Sequence, residues 1–310
     1  MDFVWSQKYR PEKISDLITT DELKTTLQSF ISQKNLPNFL FHSSTGGTGK
    51  TTTAQVLASE MDMEHLKINA SEQRGIDVVR NMLTGFASTV SMNGNRKMLI
   101  LDEADNFTPD AQNALRGFIE KFSENCCFIL TANSPNKIIQ PIHSRCSVVE
   151  FKFQKADRPK IAANFYQRVR YILEQENVQY DPKLLQMVII EHFPDFRRTI
   201  NEVQRFSSSG VLSEAILSSK SSDVEVLIEA LRERKFQNIR KFLSESWNGS
   251  EKDLYRELYE KMLPELEPNC IGNAILILSR YGYESTFPID AEIHSIAAMV
   301  ELMMLPLEFK

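Results

Sequence analysis

The chain has 310 residues, 42% of them apolar and 25% charged, with 36 Lys+Arg against 41 Asp+Glu for a net charge of −5. That length suits two or three domains, since single cores stop growing near roughly 250–300 residues, and the composition is that of a soluble globular protein. No run approaches the ~20 apolar residues of a membrane span, and the acidic balance excludes coating of nucleic acid by bulk positive charge, leaving only a localised surface for that purpose.

Taken in chain order, residues 1–5 carry no basic, apolar leader, which predicts a cytoplasmic protein. A helical pattern at 21–33 precedes the apolar run Phe39-Leu40-Phe41, a candidate strand. Directly after it stands Ser44-Thr45-Gly46-Gly47-Thr48-Gly49-Lys50-Thr51, followed by a helical pattern over 51–61. Further candidate strands are Leu66-Lys67-Ile68, Met98-Leu99-Ile100-Leu101, Cys127-Phe128-Ile129-Leu130 and Ser147-Val148-Val149-Glu150, with helices at 76–90 and 109–122 between them. Thr108-Pro109 is a strong helix start, a capping hydroxyl before a proline at the first helical position. Alternation of this kind predicts a parallel sheet flanked by helices. After about residue 153 the pattern is helical, with segments at 158–175, 182–191 and 195–206, a serine-rich linker at 218–222, and further helices ending in an apolar stretch at 296–307. The expected division is a nucleotide-binding domain at 1–155, an all-α domain at 156–221 and an all-α assembly domain at 222–310. Cys126, Cys127, Cys146 and Cys270 have no C-x-x-C spacing and read as small apolar residues rather than a zinc site or disulfide framework.

The glycine-rich stretch before a helix is a phosphate cradle. Successive backbone N–H groups converge on an anion, the helix N-terminus adds partial positive charge, Lys50 reaches the phosphate oxygens, and Thr51 offers a hydroxyl to Mg²⁺. Ser44 departs from the pattern G-x-x-x-x-G-K-[ST], which has glycine there. Downstream, Met98-Leu99-Ile100-Leu101-Asp102-Glu103-Ala104-Asp105 is a buried strand ending in carboxylates. Asp102 suits a water-mediated hold on Mg²⁺, and Glu103 suits orientation and deprotonation of an attacking water. Asn133, at the end of the next strand, is in order to touch both the γ-phosphate and that water.

With these motifs in place, the chain resembles the AAA+ ATPase subunits of sliding-clamp loaders over most of its length. Trp5-Ser6-Gln7-Lys8-Tyr9-Arg10-Pro11 is similar to the family's W-x-x-K-Y-R-P, which implies that Ser6, Gln7, Lys8, Tyr9, Arg10 and Ile18 line an adenine pocket. Phosphate contacts then fall to Gly47, Thr48, Gly49, Lys50, Thr51 and Thr52. Ser144-Arg145-Cys146 resembles the tripeptide whose arginine acts in trans on a neighbour's ATP, and His192-Phe193-Pro194-Asp195-Phe196-Arg197 resembles a lid segment whose first arginine, Arg197, senses the γ-phosphate in cis. The resemblance also implies an Arg74 that releases Glu103 when DNA enters, DNA contacts near Arg80 and Thr108, and a coupling role for Gln112 and Arg116. Implied partners are primer–template DNA, a sliding clamp, further copies of the chain in a ring and one different loader subunit, with no membrane. Ser44, Pro194 and the compact length resemble the branch found in T-even-like bacteriophages, whereas Gly117 replaces a second arginine common in the family. Two alternatives stay open on the residues alone: another DNA-associated AAA+ ATPase, such as an initiator or branch-migration motor, or a scaffold subunit that does not hydrolyse.

Overall fold

Strands buried on both faces read as near-continuous apolar runs, and three runs of this chain, Phe39-Leu40-Phe41, Met98-Leu99-Ile100-Leu101 and Cys127-Phe128-Ile129-Leu130, are buried in this way within one sheet. In the computed structural model, which describes residues 3–72, 76–89, 91, 96–213, 216, 223–247, 251–285 and 290–305, five parallel strands form: β1 (Phe39–His42), β2 (His65–Asn69), β3 (Lys97–Asp102), β4 (Cys126–Ala132) and β5 (Ser147–Glu150), in the order β2-β3-β4-β1-β5. They run one to three residues longer than the apolar runs alone indicate, except β5, which coincides with its run.

Side chains alternate across the sheet. Leu40, Leu99, Leu101, Phe128 and Leu130 pack on one face against Leu83 of α4 (Ile76–Ala87) and Leu115 of α5 (Pro109–Lys121). Phe39, Phe41, Met98, Ile100 and Ile129 pack on the other against Leu27 of α2 (Asp21–Ser32) and Leu57 of α3 (Lys50–Glu60). The adjacent Cys126 and Cys127 fall on opposite faces, each fully buried. Burial pushes the Cys127 thiol up to about 12, in keeping with an inert core role. Thr108 caps α5 as its sequence requires, accepting from Ala111 N at 3.3 Å.

The short α6 (Gln140–His143) precedes β5, and α7 (Arg158–Gln175), α8 (Pro182–His192) and α9 (Phe196–Phe206) follow it. Rings of Phe153, Phe165, Phe193 and Phe196 cluster among these helices with centroids 4.6–6.1 Å apart. The N-terminal α1 (Trp5–Lys8) docks on them: Trp5 N donates to Gln204 Oε1 at 2.9 Å, and Tyr9 Oη to Glu176 Oε1 at 2.6 Å. These elements make one compact unit, Met1–Ser213, and Glu214–Lys310 makes another. The second unit contains α10 (Asp223–Arg232), α11 (Phe236–Lys241), α12 (Glu251–Lys261), α13 (Pro268–Glu284) and α14 (Ala291–Met304) around its own core of Leu227, Leu254, Leu258, Met262 and Leu302. The serine-rich segment at 218–222 lies outside the described residues. Among those residues no helix is long and apolar enough to cross a membrane.

Candidate functional site

A cleft of about 510 Å³ opens at the C-terminal ends of β1, β3 and β4, which is where parallel sheets bind ligands. Its floor is the loop from β1 to α3. Gly47 and Gly49 hold φ of 69° and 95°, values that side chains resist, and Gly49 is the N-cap of α3. A Cβ at Gly47 would stand 1.8 Å from Asp195 Oδ1, so only glycine lets the α9 cap approach this closely. Lys50 is buried, its ammonium donating to Asn133 Oδ1 at 2.9 Å and Thr45 O at 3.2 Å. Burial depresses its pKa, partly offset by Asp102 and Asp105.

Two carboxylates end β3. Asp102 Oδ1 accepts from the hydroxyls of Thr51 and Thr131, each at 2.6 Å, and Lys67 Nζ stands 2.9 Å from Oδ2. Burial disfavours the charged carboxylate, yet the donors Thr131, Thr51 and Lys67 outweigh it and hold Asp102 below its ordinary range. Glu103 adopts φ 54°, a left-handed conformation uncommon away from glycine and at home in functional sites. Its N–H donates to Thr131 Oγ1 at 3.0 Å, and its carboxylate meets the Ser71 hydroxyl and Asn106 Nδ2, the latter at 3.4 Å. Asp105 Oδ2 accepts from the backbone of Asn133 and Ser134 at 3.3 and 3.0 Å, fixing the loop that carries Asn133.

Ser6, Gln7, Tyr9, Arg10, Ile18, Thr48, Thr52 and Arg197 line the same cleft with the loop residues. Lys8 does not: its ammonium turns to Glu176, 2.7 Å away, because it faces α7 rather than the cleft. Arg145 is tied within its own chain, Nε donating to Glu120 Oε1 at 2.8 Å and Nη1 to Pro141 O at 2.6 Å. Gln112 is buried rather than on the helix surface. Its Nε2 donates to Phe107 O and Lys137 O at 3.2 and 3.0 Å, and its Oε1 accepts from Ile139 N at 2.9 Å. Thr108, Arg80 and Arg116 are exposed, and Arg74 lies outside the described residues.

Sequence reasoning passed over Lys67, Thr131 and Arg168, all lining the cleft. Arg168 donates to Tyr9 O at 2.9 Å while its Nε is buried without a partner, as is the Thr48 hydroxyl. Unpaired donors beside a glycine cradle and a buried lysine fit a phosphorylated ligand. The hydroxyl and carboxylate pair of Thr51 and Asp102 is an all-oxygen set suited to a hard cation such as Mg²⁺.

Comparison with known proteins places two family matches side by side within residues 40–218. Residues 40–154 match the ATPase family associated with various cellular activities (AAA), and residues 157–218 match the AAA+ ATPase lid domain of the sliding-clamp-loader large subunit. Over 97% of its length the chain is 34% identical to the sliding-clamp-loader large subunit of Escherichia phage RB69, covering 93% of that protein. It is 33% identical to the replication factor C small subunit of Thermofilum pendens, covering 97% of this chain and 96% of the other. The Holliday junction branch migration motor RuvB of Thermotoga maritima shares the fold, with a TM-score of 0.56 over 81% of this chain and 80% of that one at 14% identity.

Proposed function

The chain belongs to the sliding-clamp-loader ATPases of the AAA+ class, and on that premise we propose that ATP and Mg²⁺ fill the cleft between the phosphate loop and α9, and that hydrolysis is coupled to opening a sliding clamp and placing it on primer–template DNA. The protein is a nucleotide-binding ATPase of the replication machinery. The observation that carries the finer reading is the convergence of Lys50, Thr51, Asp102, Glu103, Asn133 and Arg197 on one cleft.

Each group then has a task. Backbone donors of the loop and the Lys50 ammonium bind the phosphates, Asn133 fixes that ammonium, and Arg197 reads the terminal phosphate from the lid. Thr51 and Asp102 would hold Mg²⁺, which supplies charge neutralisation at the phosphate oxygens. Glu103 takes the proton of the attacking water once its carboxylate leaves Ser71 and Asn106. Arg145 acts on the ATP of an adjacent copy in a ring completed by one different subunit, a contribution worth roughly 10³–10⁵ in rate for such arginines. Phosphate contacts at Arg74, Arg80 and Thr108 suit DNA of any sequence, and Gln112 with Arg116 joins that surface to the ATP site. We include in this proposal domains at 1–155, 156–221 and 222–310, of which the family matches at 40–154 and 157–218 support the first boundary, and action in the cytoplasm.

The deciding experiment is steady-state ATP turnover with and without primer–template DNA and the clamp. Stimulation by the two together, abolished by Lys50→Ala in folded protein, is expected. Turnover that ignores both would overturn the loader reading, and unchanged turnover in Lys50→Ala would overturn the site.

A further inference from the structure

We propose that Lys67 is a resident cation for the metal side of the ATP site: it neutralises Asp102 while the site is empty and has to yield when Mg²⁺ loads, so that it sets how tightly the metal is held. The inference rests on the reading of Thr51 and Asp102 as the metal side of the cleft.

Lys67 lies two residues before the end of β2, where Asn69 pairs in register with Asp102. From there its side chain crosses to β3 and brings Nζ to 2.9 Å from Asp102 Oδ2, and the residue lines the nucleotide cleft. The two oxygens of Asp102 are divided between partners: Oδ1 takes both threonine hydroxyls, and Oδ2 takes the ammonium. Among the described residues no other cation is within ion-pair distance of this carboxylate. A carboxylate whose side chain is 12% exposed needs such a partner, because a buried charge without one is costly.

A dication held on the Thr51 hydroxyl approaches this same carboxylate. Ammonium and metal then share one anion, and their mutual repulsion weakens both holds. The side chain of Lys67 is 36% exposed, so it has a path back into water, which keeps the competition modest rather than prohibitive. Lys67 thereby favours release of the metal with the spent nucleotide, and protects Asp102 in the interval before the next one arrives.

The test is a Mn²⁺ titration followed by electron paramagnetic resonance on the full chain, saturated with an ATP analogue that is not hydrolysed. Lys67→Met is expected to lower the half-saturating Mn²⁺ concentration by about tenfold, while Lys67→Arg stays within about twofold of the unaltered chain. Lys67→Gln gives the same reading if Lys67→Met does not fold. Unchanged or weaker metal binding in the neutral variants would overturn the role of Lys67. Thr51→Ala separates a misassigned metal site from a misassigned Lys67. If it leaves the midpoint in place, the metal site is itself misassigned; if it raises the midpoint while Lys67→Met changes nothing, only the role of Lys67 fails.

Discussion

Replacing Thr131 by valine keeps the shape of a buried β4 side chain and removes one hydroxyl that serves both carboxylate residues at the end of β3. That hydroxyl donates to Asp102 Oδ1 at 2.6 Å and accepts from Glu103 N at 3.0 Å. Losing a hydrogen bond to a charged group costs about 1.5–3 kcal/mol, and the stranded N–H of Glu103 costs about 1–3 kcal/mol more. The added methyl returns about 0.8 kcal/mol of apolar burial. The net expectation is about 2–5 kcal/mol of lost stability in the unit that carries the sheet. The chain has two tryptophans, Trp5 in the first unit and Trp247 in the second. In a Trp247→Phe background, urea unfolding followed by fluorescence therefore reports the first unit alone. Turnover should fall at least tenfold, because Glu103 loses the bond that fixes its left-handed backbone. Thr131→Ser, which restores the hydroxyl, should recover most of both losses. A Thr131→Val protein that unfolds at the same urea concentration and turns over normally would refute the reasoning.

Gln112→Leu deletes three bonds to buried backbone groups and should cost about 2–4 kcal/mol in the same urea assay; the accompanying loss of DNA stimulation, with basal turnover kept, would mark it as a coupling residue. Arg145→Ala should bind ATP and hydrolyse it poorly, and mixing it with Glu103→Gln chains should restore part of the turnover. Absence of that rescue would remove the trans assignment. Burial, and after it the charge of Arg198, pushes His192 down to about 4 from an ordinary 6.5. The unfolded chain therefore binds a proton at a pH where the folded one does not. Stability is intact above about 6.5 and declines as pH falls to about 4. Thermal unfolding of His192→Gln across that window should be flatter than that of the unaltered chain.

Much of the first unit was legible because its three central strands are buried on both faces and so are written as apolar runs, two of them ending beside residues that line the cleft. Asp102 and Glu103 could be found for that reason, as could Lys50 from the glycines before it. Lys67 was not legible, because a lysine inside a strand ordinarily signals a solvent face, and only register with β3 brings it against Asp102. Thr131 hid for a related reason: a single hydroxyl in an apolar strand is compatible with burial and carries no spacing signal. Lys8 stands inside a recognisable motif, yet its direction is set by Glu176, 168 positions away in the chain. Gln112 shows the same limit, since its partners lie on two loops that no helical periodicity identifies.

The strand order has a consequence for biosynthesis. Phe39 of β1 pairs with Ile129 and Ser147, and Asn38 beside it accepts from Phe128 N across 90 positions. No earlier segment can pair with β1, so Phe39, Leu40 and Phe41 leave the ribosome well before their neighbours exist. At about 5–20 residues per second that interval lasts roughly 5–20 s. The loop that follows β1 cannot be held in its binding shape during this time, since β4 and β5 are what anchor its strand. The nascent chain thus carries a sticky apolar segment until about half of it has been made, and no complete nucleotide site until α9 follows, a window in which a holdase would find its target and a ligand would not.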